Sequence, residues 1–129
     1  MLVSVVIPLY NGRDVIIEGL DSVFSSETKH NLEVIVVDYS SRDDSVELVS
    51  KKGYDLHLLK NDDNYGYAYT VNRGIMASHG EAILLLNQDT ELDKDAIQIL
   101  ASKLFENGQT GIIAPKLLNP DGTLQKSVR

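Results

Sequence analysis

Leu32-Glu33-Val34-Ile35-Val36-Val37-Asp38-Tyr39-Ser40-Ser41 decides the fold. Its first six residues form an almost unbroken apolar run, rich in β-branched side chains, that stops at an acid followed by small polar residues. A continuous run, rather than an alternating one, predicts a strand buried on both faces, as in a parallel sheet. Three similar runs flank it. Residues 2–7 end at Pro8, residues 56–59 end at Lys60, and residues 82–86 end at Asn87. Helical spacing fills the gaps. Val15, Ile16, Leu20, Val23 and Phe24 define a first helix, with Asn11 or Asp14 as its cap. Residues 45–52 carry Val46 and Val49 behind Asp43-Asp44, acids suited to a helix N-terminus. Residues 67–78 carry Ala68, Val71, Ile75 and Met76. Residues 94–106 carry Ile97, Leu100, Leu104 and Phe105, capped by Asp93 and stopped by Asn107-Gly108. The order βαβαβαβα predicts a doubly wound α/β fold with right-handed crossovers. Beyond it, Ile112 to Ala114 reads as a short strand, and Pro120-Asp121-Gly122 between apolar flanks reads as the turn of a C-terminal β-hairpin.

Composition bounds the function. At 129 residues the chain is about one domain, and 43% hydrophobic content is enough for a core. Its 12 basic and 19 acidic residues give a net charge of -7, which argues against a nucleic-acid partner. With no cysteine, disulfides and thiolate metal sites are excluded. No apolar run approaches the ~20 residues of a transmembrane helix. A cytoplasmic location is expected, with membrane association left to a longer protein.

In open α/β sheets, ligands bind outside the carboxyl ends of the strands. Those ends here carry Pro8-Leu9-Tyr10-Asn11, Asp38 to Ser41, Lys60 to Asn64, and Asn87-Gln88-Asp89. Polar and acidic side chains therefore converge on one edge. The first strand-to-helix loop holds a single glycine, Gly12, so it is no dinucleotide fingerprint, and no P-loop occurs anywhere. A phosphate ligand would meet no glycine cradle and a negative protein. A divalent cation, Mg2+ or Mn2+, resolves the conflict, because such ions are held by one or two carboxylates plus substrate phosphates. Asp89, expected at the end of a buried strand, is the candidate ligand. His30, His57 and His79 have no mutual spacing suited to a metal and read as surface or strand-edge residues.

The same segments resemble a known family. Val5-Val6-Ile7-Pro8-Leu9-Tyr10-Asn11 is similar to the opening of family 2 glycosyltransferases, inverting enzymes of the GT-A (Rossmann-like) fold. Asp38-Tyr39-Ser40-Ser41-Arg42-Asp43-Asp44-Ser45 resembles that family's Asp-x-x-Ser-x-Asp-x-Ser loop. Asn64-Tyr65-Gly66-Tyr67-Ala68 and Asn72-Arg73-Gly74-Ile75 resemble the approach to its third long helix, and Asn87-Gln88-Asp89-Thr90 its metal motif, closest to the rhamnosyltransferase-like branch. The resemblance implies that residues 1–129 are the donor-binding part of a GT-A domain, cut before the acceptor-binding half. It implies a nucleotide-diphosphate sugar donor (UDP- or dTDP-linked) and a glycan or lipid-linked acceptor. Pro8, Tyr10 and Asn11 would line the nucleotide cleft. Asp38 would accept the base N3–H. Asn64 and Gly66 would bring backbone close to the nucleotide. Asn72 would cap or brace the cleft. For Arg73 a phosphate or ribose contact and a solvated helix face are both open. Asn87 would lie near the ribose or sugar, and Asp89 would ligate the metal.

Two positions depart from the family pattern. Asn87 replaces the first acid of the metal motif, which leaves Asp89 its sole anionic member. Tyr39 stands where Asn or Asp is commoner, and its ring could pack on the base or fill space. The general base that inversion requires is expected beyond Arg129, since Asp121 belongs to a turn. Two other classes compete: a non-catalytic nucleotide-binding module of receiver type, and a nucleotidyltransferase. The first would need an acidic pair after the first strand, the second a basic glycine-rich loop there. Neither is present.

Overall fold

The computed structural model describes residues 1–126. The elements run β1 (Leu2–Leu9), α1 (Ile16–Phe24), β2 (Asn31–Asp38), α2 (Ser45–Lys52), β3 (His57–Lys60), α3 (Tyr67–Ala77), β4 (Ala82–Leu85) and α4 (Ala96–Phe105). The predicted order holds throughout. The strands form one parallel sheet in the order β3-β2-β1-β4. The chain builds outward from β1 to β3 and then returns to the other side of β1. The switch point therefore lies between β1 and β2 on one side and β4 on the other, where open sheets keep their binding crevice.

The chain resolves into two compact units, Met1–Gln98 and Ile99–Arg129. In the first, alternate strand residues face opposite layers. Val5, Ile7 and Leu9 of β1 and Val34 and Val36 of β2 join Ile16, Leu20 and Val23 of α1 and Val49 of α2 in one buried cluster. On the other face α3 lies across β1 and β2. Gly74 makes this possible, since a Cβ there would sit 2.4 Å from Val6 Cγ1 and 3.2 Å from Val37 Cγ2. Such separations lie inside the ~3.5–4.0 Å of ordinary carbon contact.

Pro8 sits inside a central strand without costing a ladder bond. Tyr39 N–H donates to Leu9 O, and Leu86 N–H donates to Val6 O. Odd positions of β1 thus bond to β2 and even positions to β4. The missing N–H of Pro8 would point toward β4, whose pairing with β1 ends at Val6–Leu85. Proline is tolerated where a ladder ends, and here it marks the point at which β1 and β4 part.

Three expectations need correction. The first helix is capped by neither Asn11 nor Asp14. Its N-cap is Val15, and the Gly12 carbonyl takes the N–H groups of Val15 and Ile16. β4 is an edge strand rather than a buried one. α3 does not cover it, so Ile83 and Leu85 remain 39% and 49% exposed, while only Ala82 and Leu86 are buried. In the second unit, Ile112 to Ala114 forms no strand among the described residues, and Ile112 is 90% exposed. The expected hairpin pairs only briefly, with Asn119 N–H donating to Thr123 O and Gln125 N–H to Leu117 O, and no strand is formed on either flank among the described residues. Gly122 N–H donates to Asn119 O, Asp121 accepts from Thr123, and a single antiparallel bridge joins Leu118 to Leu124. The turn residues fix local geometry, but the flanks have no apolar face to bury, as Leu117, Leu118 and Leu124 are all exposed. No described helix is long and apolar enough to cross a membrane.

Candidate functional site

The loops after β1 and β2 are stitched together by their own polar groups. Asn11, at φ 46°, donates its N–H to Ser41 Oγ at 3.0 Å and accepts Arg42 N–H on Oδ1 at 2.8 Å. Arg13 N–H donates to Asp43 at 3.2 Å, and Asp43 also accepts from Ser45 at the start of α2. For Asp43, burial pushes the carboxyl up, but the bonds from Ser45 and Arg13 outweigh it and leave the pKa lowered. Asp38 is buried, and both its oxygens lie 3.3 Å from Ser41 N–H. Ser40 between them is held at φ 71°, a left-handed conformation that disfavours a side chain.

A second stitch joins β1 to the turn after β4. The Gln88 side chain accepts Tyr10 N–H at 2.9 Å and donates to Tyr10 O at 3.0 Å. This two-point clamp fixes the exit of β1 to the Asn87-Gln88-Asp89 turn. A Cβ on Gly12 would lie 2.5 Å from Gln88 Oε1, so the lone glycine of the first loop is what admits the clamp. Sequence reasoning missed Gln88, the unspecified middle residue of its motif. The one available signal was that solitary glycine.

Asp89 lies in this turn, at the carboxyl end of β4. Its side chain is exposed and has no hydrogen bond or ion pair among the described residues. Asn87 is also exposed, and its Oδ1 accepts the Tyr67 hydroxyl at 3.2 Å. That bond ties the start of α3 to the metal motif. No cluster of three or more metal-binding side chains exists among the described residues. The donor set is therefore one free carboxylate flanked by neutral oxygen. It fits a hard divalent cation that brings phosphate oxygens and water as its remaining ligands, and it does not fit a preformed cage.

The other expected residues fall into two groups. Tyr10, Asn11, Asp38 and Asn87 lie on the strand-end loops joined by the bonds just described, and Pro8 is buried within β1 ahead of them. Asn64 accepts Gly66 N–H on its side chain at 2.9 Å, and Gly66, at φ 90°, starts α3. Arg73 is turned inward. Its Nη1 donates to Lys60 O at 2.9 Å and to Asn61 Oδ1 at 2.5 Å, bracing the end of β3. Asn72 is exposed and braces nothing among the described residues. At the opposite end of the sheet the exposed His79 donates its backbone N–H to Glu33, so this surface residue is also a structural partner.

A parallel four-stranded sheet flanked by helices, with an exposed acid at its switch-point edge, is the α/β arrangement of the GT-A fold. Residues 4–128 match Glycosyl transferase family 2, and the chain belongs to that family. It is 27% identical to the poly-beta-1,6-N-acetyl-D-glucosamine synthase of Staphylococcus epidermidis over 96% of this chain and 31% of that protein. It is 35% identical to the amylovoran biosynthesis glycosyltransferase AmsB of Erwinia amylovora over 74% of this chain and 33% of that protein. Among solved structures, S. aureus TarS 1-349 in complex with UDP-GlcNAc matches with a TM-score of 0.76 and 25% identity, covering 90% of this chain and 37% of that one. The Pyrobaculum calidifontis mannosyltransferase PcManGT in complex with GDP-Man and Mn2+ matches with a TM-score of 0.75 and 26% identity, covering 81% and 32%. The chain thus spans about a third of the length of these relatives. The receiver-type and nucleotidyltransferase readings are not favoured by these matches.

Proposed function

We propose that this chain is the donor-binding part of an inverting glycosyltransferase that moves a sugar from a uridine or thymidine diphosphate to an acceptor hydroxyl. The single observation that carries the reading is the exposed, unpartnered carboxylate of Asp89 at the switch-point crevice. The acids of the loop after β2 are committed elsewhere, Asp38 to Ser41 and Asp43 to Ser45 and Arg13. Asp89 would hold Mg2+ or Mn2+, and the ion when bound would neutralise the donor's diphosphate as a Lewis acid. The PcManGT complex with GDP-Man and Mn2+ supports a divalent cation in this fold. Asp38, Pro8, Tyr10 and Asn11 would enclose the base. Asn64 and Gly66 would shape the wall at the start of α3. Asn87 would face the ribose or sugar, its orientation set by Tyr67. Arg73 would act as a brace for the β3 end rather than as a phosphate contact, and Asn72 would play no direct part.

The acceptor would be a glycan or a lipid-linked saccharide, and the process polysaccharide or cell-surface glycan synthesis, as the names of the relatives suggest. The general base would come from residues outside 1–129, so this chain would bind donor without turning it over. Titration of UDP, dTDP, GDP and CDP with and without Mn2+ tests the reading, repeated with Asp89→Ala. Binding of a uridine or thymidine diphosphate should strengthen at least tenfold with Mn2+, and the variant should lose that gain. Equal binding in EDTA, or an unaltered metal effect in the variant, would refute the metal role. Sugar transfer by this chain alone would refute the division of labour.

A further inference from the structure

The base side of the crevice presents aromatic surface where the family usually presents an amide or acid. The Tyr39 ring stacks on Tyr10, with centroids 4.9 Å apart and planes 19° from parallel. Both rings are half-buried at the rim, outside the apolar core. The Tyr39 hydroxyl is pushed up from its ordinary range first by burial and then by the nearby Tyr67 and Tyr10 phenols, which places all three tyrosines in one neighbourhood. They come from three separate segments: the end of β1, the end of β2 and the start of α3. Tyr67 in turn bonds Asn87, two residues from Asp89.

Several polar groups of these loops are already engaged. Asn11 Oδ1 serves Arg42, the Asp38 carboxylate serves Ser41, and Arg73 serves Lys60 and Asn61. Beside these engaged groups, the stacked Tyr10 and Tyr39 rings present apolar surface on the same loops. Stacking on a neutral ring does not suffer from the chain's net charge of -7. We propose that Tyr39 is a nucleobase-binding residue of this chain's donor site, its ring joining Tyr10 in a stack against which the base lies while the diphosphate reaches Asp89. This rests on the donor-binding reading above.

Tyr39 serves the loop through its backbone, whose N–H donates to Leu9 O, so side-chain substitutions leave that bond in place. The test is calorimetric titration of UDP with Mn2+, and of inorganic pyrophosphate with Mn2+ as a probe without a base. The proteins are the unaltered chain, Tyr39→Phe, Tyr39→Asn and Tyr39→Ala. Loss of one base–aromatic stack should weaken UDP binding roughly 5- to 150-fold in the Asn and Ala variants. The Phe variant should stay within about twofold, and pyrophosphate should bind all four proteins alike, as stacking requires a base. Unchanged UDP affinity in the Ala and Asn variants, or a parallel loss of pyrophosphate, would overturn the assignment while leaving the donor-binding reading intact. Failure of the unaltered chain to bind UDP with Mn2+ would overturn both.

Discussion

Replacing Gly74 by alanine tests how α3 is seated, and through it how the crevice wall is held. The added methyl would sit 2.4 Å from Val6 Cγ1, more than 1 Å inside normal contact, and 3.2 Å from Val37 Cγ2. Val6 and Val37 are fully buried in central strands and cannot turn aside, because β-branched side chains are stiff at χ1. The helix must retreat instead and loosen its contact with β1 and β2. Overpacking of this kind costs ~1–3 kcal/mol, and the stiffness of both neighbours argues for the upper end. Alanine returns ~1 kcal/mol of helix propensity. The net loss is therefore about 2 kcal/mol, or a fall in Tm of roughly 8–16 °C for a unit of this size. Urea and thermal melts of Gly74→Ala, Val6→Ala and the double variant measure it. If the clash with Val6 is the cause, the second substitution should cost at least about 1 kcal/mol less in the presence of the first. A neutral or stabilising Gly74→Ala, or strict additivity in the double variant, would refute the reasoning.

Two further outcomes follow from strained or charged positions. Ser40 at φ 71° pays ~1–2 kcal/mol for its left-handed backbone, against the ~0.5–1 kcal/mol of extra chain entropy that glycine would lose on folding. Ser40→Gly should therefore raise Tm by a few degrees in a thermal melt, and a lower Tm would show that its side chain supports the loop. For Glu33, burial pushes the carboxyl up, but hydrogen bonds from Ser4 and His79 and the His79 charge overcome it and bring the pKa down to about 2. A depressed carboxyl contributes stability above its ordinary value and loses it as pH falls through the folded one. The stability gap between the unaltered chain and Glu33→Gln should thus be full at neutral pH and shrink as pH falls from about 4.5 toward 2. Urea melts across that window check it, and a gap that stays constant would remove Glu33 from the acid response.

The scaffold was legible because its signals are local. The apolar run ending at Asp38 and the acids ahead of Val46 and Val49 specify β2 and α2 almost to the residue. What stayed hidden depends on contacts between segments distant in sequence. Gln88 looks like filler in its own motif, and its importance arises only when β1 and β4 lie side by side and its amide reaches the backbone of Tyr10. Asn11 has the composition of a helix cap, yet the neighbouring loop claims its side chain first. Arg73 reads equally as a phosphate or ribose contact and as a solvated helix face, and only the fold brings it onto the carbonyl of Lys60 at the end of β3. For β4 the apolar pattern was read correctly as a strand, but burial on both faces needs a second layer that α3 does not extend far enough to supply.

The same competition for partners bears on how so acidic a chain would accept the phosphates of the proposed donor. Asp38 and Asp43 already accept hydrogen bonds from the protein's own N–H groups, which ties these acids to the loops. Asn87 removes one further charge at the critical turn, and its oxygen is occupied by Tyr67. Asp89 is left as the one uncommitted carboxylate of its motif, on a turn held rigid by the Gln88 clamp. A relative with two acids in that turn could lose one and still attract a cation. Here the cation depends on a single side chain. Asp89→Ala should therefore abolish the metal effect on nucleotide binding rather than merely weaken it, while leaving the stacking contribution of Tyr39 measurable.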